Sequence, residues 1–305
     1  MPPKPPRTPS EFIAWAEKRF RKAPLYYGHG TDNAGDEAAY LVLSALNLPF
    51  TGGSAAINRP LPEAQREWLA KLVSRRISER RPVAYLINRA WFAGIPFYVD
   101  ERVLIPRSPI AELIEERFAP WVEEEGVKRI LDVGTGCGCI AIACAIAFYR
   151  ARVDAIDISE DALAVARENA ARHGLTRRVQ CIKSDLFNGL AGRRYDLIVA
   201  NPPYLSADKI RALPREYRYE PNVALKAGTD GLDLVRRLLR EARRHLTAKG
   251  VLIVEVGAAA SRVIENYPAL PFTWLEFERG GEGVFLLHRD ELPGARKTAR
   301  RPGPA

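Results

Sequence analysis

The 305-residue chain has no long apolar run, although 47% of its residues are hydrophobic. No uninterrupted stretch reaches the roughly 18 to 20 residues that a membrane-spanning helix requires. The beginning, Met1-Pro2-Pro3-Lys4, does not resemble a secretory signal peptide. The sequence therefore predicts a cytoplasmic protein with no membrane partner. Its length suffices for one full catalytic domain and a smaller second domain.

Cysteine and histidine are scarce, with four of each. Three of the cysteines lie in or just after one glycine-rich stretch, which favours small, reduced packing residues over a disulfide framework. Cys137 and Cys139 have no histidine near them in the sequence, so no metal site is predicted. The histidines are scattered, and a structural role is favoured for each of them: His29, His173, His245 and His288.

A strand, a glycine turn and a helix are predicted in succession from Ile130 to Phe148. Glycines in the turn allow a tight bend and let a ligand approach the backbone closely. A dinucleotide fingerprint would have a further glycine where this chain has Cys139, which disfavours a nicotinamide cofactor. Asp132 is expected either to brace the turn or to contact the ligand. The predicted cofactor-binding residues here are Asp132, Gly134, Thr135, Gly136 and Gly138.

Two further predicted strands end in carboxylates. Val153 to Ile156 precedes Asp157, at a position where an acidic side chain can hold a ribose diol. Capping of the following helix is the competing role for Asp157. A strand from Val179 to Ile182 precedes the predicted adenine contacts. These are Asp185, which would accept a hydrogen bond from the adenine amino group, and Leu186 and Phe187, which would cover the ring.

The segment from Asp196 to Tyr204 runs from an apolar strand into Asn-Pro-Pro-Tyr. These residue types suit methylation of a planar amide or aromatic amine, whose nitrogen is a poor nucleophile because its lone pair is delocalised. Asn201 offers its side-chain carbonyl and Pro202 its backbone carbonyl to the two N–H protons, in a segment stiffened by proline. Tyr204 offers a flat face for stacking. The competing interpretation is a turn that only ends a strand.

Helices predicted between the first five strands imply a parallel sheet with right-handed crossovers. Ligands of such sheets bind beyond the carboxyl ends of the strands. Gly134, Asp157, Asp185 and Asn201 all follow predicted strand ends. One edge of the sheet is therefore expected to hold all four.

These motifs resemble those of class I S-adenosylmethionine-dependent methyltransferases, and more closely those of the glutamine N5-methyltransferases. The shared motifs are Asp-x-Gly-Thr-Gly-x-Gly from 132 to 138, Asn-Pro-Pro-Tyr from 201 to 204, Glu220-Pro221-x-x-Ala224-Leu225 and Gly228-x-Asp230-Gly231. The release-factor branch has Pro-Arg-Pro-Glu-Thr-Glu where this chain has Pro106-Arg107-Ser108-Pro109-Ile110. With the preceding segment from Ala90 to Val103, the chain is similar to the ribosomal branch, which methylates a glutamine of large-subunit ribosomal protein three.

The resemblance spans roughly residues 10 to 290. It implies an α/β fold, a Rossmann-like methyltransferase sheet with a C-terminal antiparallel hairpin, preceded by a small helical domain and a connecting β-hairpin. It also implies S-adenosylmethionine as the methyl donor, without a metal. Because the donor carries a sulfonium leaving group, the enzyme needs alignment and acceptor polarisation more than a strong base.

Five regions are predicted along the chain: a disordered start (1–9), a helical substrate-recognition domain (10–88), a β-hairpin linker (89–108), the catalytic domain (109–290) and a basic, disordered tail (291–305). Helices are expected from Ser10 to Phe20, Glu37 to Leu46, Pro62 to Ser78 and Pro109 to Val122, with hairpins over Trp91 to Ile105 and over Phe272 to His288. Substrate choice is expected to lie in the N-terminal helices and in the segment from Ala90 to Ser108.

The formal net charge of +9 suggests an acidic partner, such as ribosomal RNA around a ribosomal-protein substrate in an assembly intermediate. A merely solvated surface is the competing explanation, because much of the charge lies between Arg296 and Arg301.

Three alternative functions remain open. The first is the release-factor branch. The second is a DNA adenine N6-methyltransferase, which can share Asn-Pro-Pro-Tyr, although no target-recognition region is identified here. The third is a ribosome assembly factor that has lost catalysis, against which the intact Asn201 and glycine turn argue.

Overall fold

The computed structural model describes residues 6–50 and 54–294. Part of the predicted disordered start (1–5) and most of the predicted basic tail (295–305) lie outside the described residues. The first helix begins at Pro9, because the Thr8 side chain accepts a hydrogen bond from the Glu11 N–H at 3.3 Å. Proline is favoured at this first helical position, where its missing N–H costs nothing.

The N-terminal region is helical. The Asn33 side chain caps the second helix by accepting from the N–H groups of Gly35 and Asp36, so this helix starts before the predicted Glu37. Phe12, Ala16 and Phe20 are spaced four residues apart and are fully buried. The helices are α1 (Pro9–Phe20), α2 (Ala34–Ala45), α3 (Ser54–Ile57), α4 (Glu63–Glu79) and α5 (Val83–Ile87).

The connecting hairpin is shorter than predicted. It consists of β1 (Ala90–Phe92) and β2 (Ile95–Phe97), joined by Ala93 and Gly94, which both have positive φ as a tight two-residue turn requires. The alternation that predicted pairing up to Ile105 reflects burial instead, because Val99, Val103 and Ile105 are buried without being in a strand.

A seven-stranded sheet is the centre of the region that follows the hairpin. Its strands lie in the order β5-β4-β3-β6-β7-β9-β8. The first five strands pair in parallel and the last two pair antiparallel, as predicted for a Rossmann-like methyltransferase sheet with a C-terminal hairpin. The strands are β3 (Arg129–Val133), β4 (Arg152–Asp157), β5 (Val179–Lys183), β6 (Tyr195–Ala200), β7 (Leu246–Glu255), β8 (Thr273–Leu275) and β9 (Val284–His288).

Six helices accompany this sheet. The first of them is shorter than the predicted Pro109 to Val122, because Arg117 and Phe118 adopt positive φ and end the helical path. The helices are α6 (Ile110–Glu115), α7 (Cys139–Ala147), α8 (Glu160–Arg172), α9 (Ala207–Ala212), α10 (Asp233–His245) and α11 (Ala260–Asn266).

Both faces of the sheet are covered. In β6, Leu197 and Val199 join the apolar cluster that contains α7, whereas Ile198 and Ala200 join the cluster that contains α10. A strand that is buried on both faces has apolar residues at successive positions. This explains why apolar and polar residues do not alternate from Leu197 to Ala200. In the described part of the chain, no helix combines the length and the apolar character needed to cross a membrane.

The order of the strands places a switch point between β3 and β6. From β3 the chain winds outward to β4 and β5, and it then returns to β6 on the other side of β3. In open α/β sheets, ligands bind in the crevice that this reversal leaves beyond the carboxyl ends of the two strands.

Candidate active site

A cavity of about 320 Å³ opens at this switch point. Seven predicted site residues line it: Gly134, Gly136, Asp157, Asp185, Leu186, Asn201 and Pro202. The other five are absent from its lining: Asp132, Thr135, Gly138, Phe187 and Tyr204. The expectation that four strand ends meet at one edge therefore agrees with the geometry, because each of these strand ends contributes at least one lining residue.

The glycine turn after β3 brings open backbone to the cavity. Gly134 has φ of 73° and Gly136 has φ of 54°, conformations that side chains rarely adopt. A Cβ at Gly134 would lie 3.9 Å from the Asn201 carbonyl oxygen. Gly138 allows α7 and α8 to pack closely. A Cβ at this position would lie 3.2 Å from the Cβ of Ala166 and would push the two helices apart.

Asp132 braces this turn from beneath. Its Oδ2 accepts from the Thr135 hydroxyl at 2.6 Å and from the Ala141 N–H at 3.1 Å. Its Oδ1 is buried without a hydrogen-bond partner among the described residues. Burial raises the pKa of Asp132 to about 7. Of the two roles expected for Asp132, the bracing role is the one that the contacts support.

Asp157 joins the glycine turn to the start of α8. Its Oδ2 accepts from the Gly136 N–H at 3.0 Å, and its Oδ1 accepts from the Ser159 N–H at 2.9 Å. Burial raises the pKa of Asp157. The helix cap is Ser159, whose hydroxyl accepts from the Ala162 N–H at 3.2 Å. Each Asp157 oxygen retains acceptor capacity toward the cavity.

The end of β5 supplies one polar and one apolar contact. Asp185 Oδ1 accepts from Arg237 Nη1 at 2.8 Å, and Leu186 lines the cavity with positive φ. Phe187, which was predicted to cover the adenine ring, does not line the cavity. Phe187 is buried away from the cavity lining and stacks on His245, with ring centroids 4.5 Å apart. Other apolar lining residues at this end are Ile156, Ile158 and Leu234.

Asn201 is a side chain with unused hydrogen-bonding capacity. It is half-buried and lines the cavity, and no residue in the described chain hydrogen-bonds to its side-chain amide. The following residue, Pro202, is buried. This pair of residues therefore presents one amide group and one adjoining backbone carbonyl at the end of β6.

Tyr204 lies on the far side of this segment, against the end of β7. Its hydroxyl donates to Glu255 Oε1 at 3.5 Å, and a Cβ on Gly257 would lie 2.9 Å from its ring. Stacking of Tyr204 on an acceptor group stays a prediction.

Glu255, at the carboxyl end of β7, was not anticipated from the sequence. It is 5% exposed, and its Oε2 accepts from the Ser108 hydroxyl at 2.5 Å. Burial raises the pKa of Glu255 to about 7. The signal was weak because Ser108 and Glu255 are 147 positions apart and each looks ordinary in its local sequence.

A buried ion pair explains the Glu-Pro motif. The Arg107 guanidinium donates to the two Glu220 oxygens at 2.6 and 2.9 Å, and the Ile105 N–H donates to one of them at 3.1 Å. Burial alone would raise the pKa of Glu220, but the His29 ring and the Arg107 charge hold it at about 2. The residues just after Glu220 form one wall of the cavity: Pro221, Val223 and Ala224.

A second buried carboxylate ties the same loop to the N-terminal helices. Glu216 accepts from Arg80 at 2.8 and 2.9 Å, from Arg76 at 3.4 Å and from the Tyr26 N–H at 3.0 Å. These contacts lower the pKa of Glu216 although burial opposes them. The loop from 205 to 231 is thus fixed to both the hairpin segment and α4.

Two family models match parts of this chain, and they indicate a methyltransferase. The family model "Methyltransferase small domain" matches residues 116–213, and the family model "PrmC N-terminal domain" matches residues 11–87. The chain is also similar to a solved methyltransferase from Pyrococcus furiosus, with 18% identity and a TM-score of 0.46 over 75% of this chain and 99% of the other.

Two curated relatives identify the family more closely. Both are named ribosomal protein uL3 glutamine methyltransferase. The Francisella tularensis relative is 47% identical over 92% of this chain and 90% of its own length. The Xanthomonas campestris relative is 50% identical over 92% of this chain and 91% of its own length. The chain belongs to this glutamine methyltransferase family.

Proposed function

We propose that this cytoplasmic enzyme transfers a methyl group from S-adenosylmethionine to the side-chain amide nitrogen of a glutamine in ribosomal protein uL3. The relatives named for that activity support the substrate. The observation that carries the chemistry is the Asn201 amide, which lies in the cavity at the end of β6 and has no hydrogen-bond partner in the part of the chain that the structure describes. Release-factor and DNA substrates lack comparable support.

The residues of the cavity fit this methyl donor. Gly134 and Gly136 leave room against the backbone, and Asp157 retains acceptor capacity for ribose hydroxyls. Asp185 can accept from the adenine amino group through the oxygen that Arg237 does not occupy, and Leu186 offers an apolar surface to the ring. When bound, this donor supplies a methyl group on a positively charged sulfonium, which leaves readily as a thioether.

The acceptor side requires polarisation of an amide. We infer that the Asn201 side-chain carbonyl and the Pro202 carbonyl accept the two N–H groups of the glutamine amide. Hydrogen bonds of that geometry favour a more tetrahedral nitrogen and localise its lone pair. Because Pro202 and Pro203 restrict the backbone, these acceptors are held in place before the substrate arrives. Asp132 and Thr135 act indirectly, by holding the glycine turn.

One contact favours the ribosomal branch over the release-factor branch. The Ser108 hydroxyl donates to Glu255, which in turn holds the Tyr204 hydroxyl. The release-factor motif has proline at this position, and proline has no hydroxyl to donate. Ser108 thus supports Tyr204 in this chain through Glu255, with a hydroxyl that the release-factor motif does not have at this position.

The positive charge of the chain supports a substrate close to RNA. We propose that uL3 is methylated in an assembly intermediate in which ribosomal RNA lies nearby.

The direct test offers purified uL3 and a purified release factor to the enzyme with isotopically labelled donor. We expect one methyl group on one glutamine of uL3, located by mass spectrometry of peptides, and none on the release factor. Ribosomes from cells that lack the gene should lack the same methyl group. Methylation of the release factor with unmodified uL3 would overturn the proposed substrate, and labelled DNA adenine would overturn the reaction class.

A further inference from the structure

A second cavity, of about 600 Å³, lies between α2 and the β1–β2 hairpin, and its lining includes none of the predicted site residues. We call it the α2 groove. Its apolar lining is formed mainly by Tyr40, Leu43, Phe50, Trp91, Ile105 and Pro106. Nothing in the methyl-transfer chemistry requires a cavity here.

Two large aromatic side chains of the groove face solvent. Phe50 is 46% exposed and Trp91 is 39% exposed, and their rings meet edge to face with centroids 5.5 Å apart. Tyr40 extends the same aromatic row, with its ring centroid 6.3 Å from that of Phe50. Exposed aromatic side chains that are grouped in a concave surface are typical of protein-binding sites.

The charge of the groove is opposite to that of the chain. Its lining contains Asp32 and Asp36 and no lysine or arginine, although the chain as a whole carries +9. Asp36 accepts a hydrogen bond from Asn33 at 2.7 Å, whereas Asp32 has no hydrogen bond or ion pair with any residue that the structure describes. Two exposed carboxylates beside aromatic faces attract a Lys or Arg side chain and repel phosphate.

The groove and the active-site cavity share one wall. Arg102, Val103 and Leu104 line the active-site cavity, and the next two residues, Ile105 and Pro106, line the groove. The following residue, Arg107, is held by Glu220, so this wall is fixed in place. A protein bound in the groove is therefore held next to one wall of the active-site cavity.

We propose that the α2 groove binds a Lys- or Arg-bearing segment of the ribosomal-protein substrate, separate from the segment that carries the glutamine. This inference rests on the proposed function. A ribosomal protein must neutralise RNA phosphates and is therefore rich in such side chains.

The test uses the full-length enzyme, full-length uL3 and two groove variants. Asp32→Lys reverses a charge outside any helix, and Trp91→Ala removes an aromatic face. We expect each to raise the KM for uL3 about tenfold, the usual range for an interface anchor, while kcat and donor affinity stay within about twofold. Matched controls are Glu67→Lys and Trp68→Ala on α4, where Trp68 is 44% exposed and neither residue lines the groove. Both controls should behave as wild type.

The possible results separate this inference from the function on which it rests. Wild-type enzyme that fails to methylate uL3 would overturn the proposed function itself. Active wild type with groove variants no different from the α4 controls would overturn only the groove. Variants that lose kcat at unchanged KM, lose binding to a ribosomal RNA fragment, or lose a dimer in sedimentation would also overturn it. Addition of about 0.5 M salt should weaken uL3 binding to wild type more than to Asp32→Lys.

Discussion

Asn201 presents its side-chain amide in the cavity without a hydrogen-bond partner among the described residues, which makes its removal informative. We expect Asn201→Ala to lower kcat by about 10² to 10³, the typical cost of deleting one preorganised polar group. Donor affinity, measured by calorimetry, should change little. The control is Asn266→Ala, which removes an exposed amide in α11 that bonds only to the Arg262 carbonyl. Near-normal single-turnover rates in the Asn201 variant would contradict the role.

The ribose-binding role proposed for Asp157 can be tested apart from helix capping, because Ser159 is the residue that caps α8. We expect Asp157→Ala to weaken donor binding by about 1.5 to 3 kcal/mol, the range for hydrogen bonds to charged groups. Ser159→Ala is the matched variant, and it should cost about 1 kcal/mol of stability with nearly unchanged donor affinity. Donor titrations and thermal melts of both variants provide the measurements. Equal donor affinities in the two variants would remove Asp157 from the ribose site.

Glu255 predicts a particular dependence of stability on pH. Its pKa is raised from 4.5 to about 7 by burial, so the folded state binds this proton more tightly than the unfolded state. The contribution to stability is therefore complete below about pH 4.5 and is lost as the pH rises through 7.

Glu255→Gln removes this titration and keeps a neutral hydrogen-bonding group. Between pH 5 and 8, the wild type should lose up to about 3 kcal/mol more unfolding free energy than the variant. Denaturant melts across this range measure the difference. Asp132 titrates in the same direction but is present in both proteins, so it cancels. Parallel curves for the two proteins would show that Glu255 is already ionised.

At the scale of elements, the sequence predicted those features that depend on neighbouring residues, namely the strands and the turns that follow them. The glycines at 134 and 136, the carboxylates after β4 and β5 and the prolines after β6 each follow an apolar strand, and the parallel sheet then brings them to one edge. The lengths of the hairpin and of α6 were overestimated. In the hairpin segment, the alternation of apolar and polar residues reflected burial without strand pairing. The helix α6 ended early because Arg117 has a positive φ.

The buried ion pairs between distant residues could not be predicted from the sequence, for a different reason. Arg107 and Glu220 are 113 positions apart, and Arg80 and Glu216 are 136 apart. A charged residue in an Arg-rich chain has many possible partners, and no local pattern shows which one it meets in the core. Phe187 was misplaced similarly, because its stacking partner His245 comes from α10.

The loop that carries Glu216 should be stabilised by this pairing. We expect Glu216→Ala to cost about 3 to 5 kcal/mol of unfolding free energy, because it removes the buried carboxylate that Arg76 and Arg80 share. The Arg76 side chain is fully buried, although Glu37 still contacts it at 3.0 Å. The control, Glu79→Ala, breaks an exposed pair with Arg75 and should cost less than about 1 kcal/mol. Similar losses in both variants, measured by chemical denaturation, would show that the loop is held by other contacts.

At the scale of the whole molecule, the N-terminal helices and the catalytic sheet share one core. A single apolar cluster extends from Phe12 and Phe20 in α1 to Ile142 in α7 and Ile130 in β3. The loop from 205 to 231 strengthens this connection, because its buried Glu216 and Glu220 pair with arginines of the N-terminal region. Exchange of the N-terminal region between enzymes must therefore preserve a packed surface and its ion pairs.

This connection sharpens a prediction about substrate choice. The proposed donor-binding edge contains motifs common to both branches of the family. A protein substrate must dock on the surface beside this edge, and a difference in affinity between two substrates can arise on that surface. We expect a chimera with residues 1 to 108 from a release-factor enzyme to methylate the release factor while its donor affinity stays within about twofold of wild type.

A second chimera that also takes residues 205 to 231 from the release-factor enzyme serves as the comparison, because the N-terminal region and the loop that contacts it then come from the same protein. It should have the same substrate as the first chimera and greater stability, since both sides of the contact that Glu216 makes with Arg76 and Arg80 in this chain then come from one enzyme. Labelled-donor assays with both substrates, together with melts, distinguish the two proteins. If the first chimera is folded and still methylates only uL3, and the second methylates the release factor, then specificity lies in the loop instead of the N-terminal region.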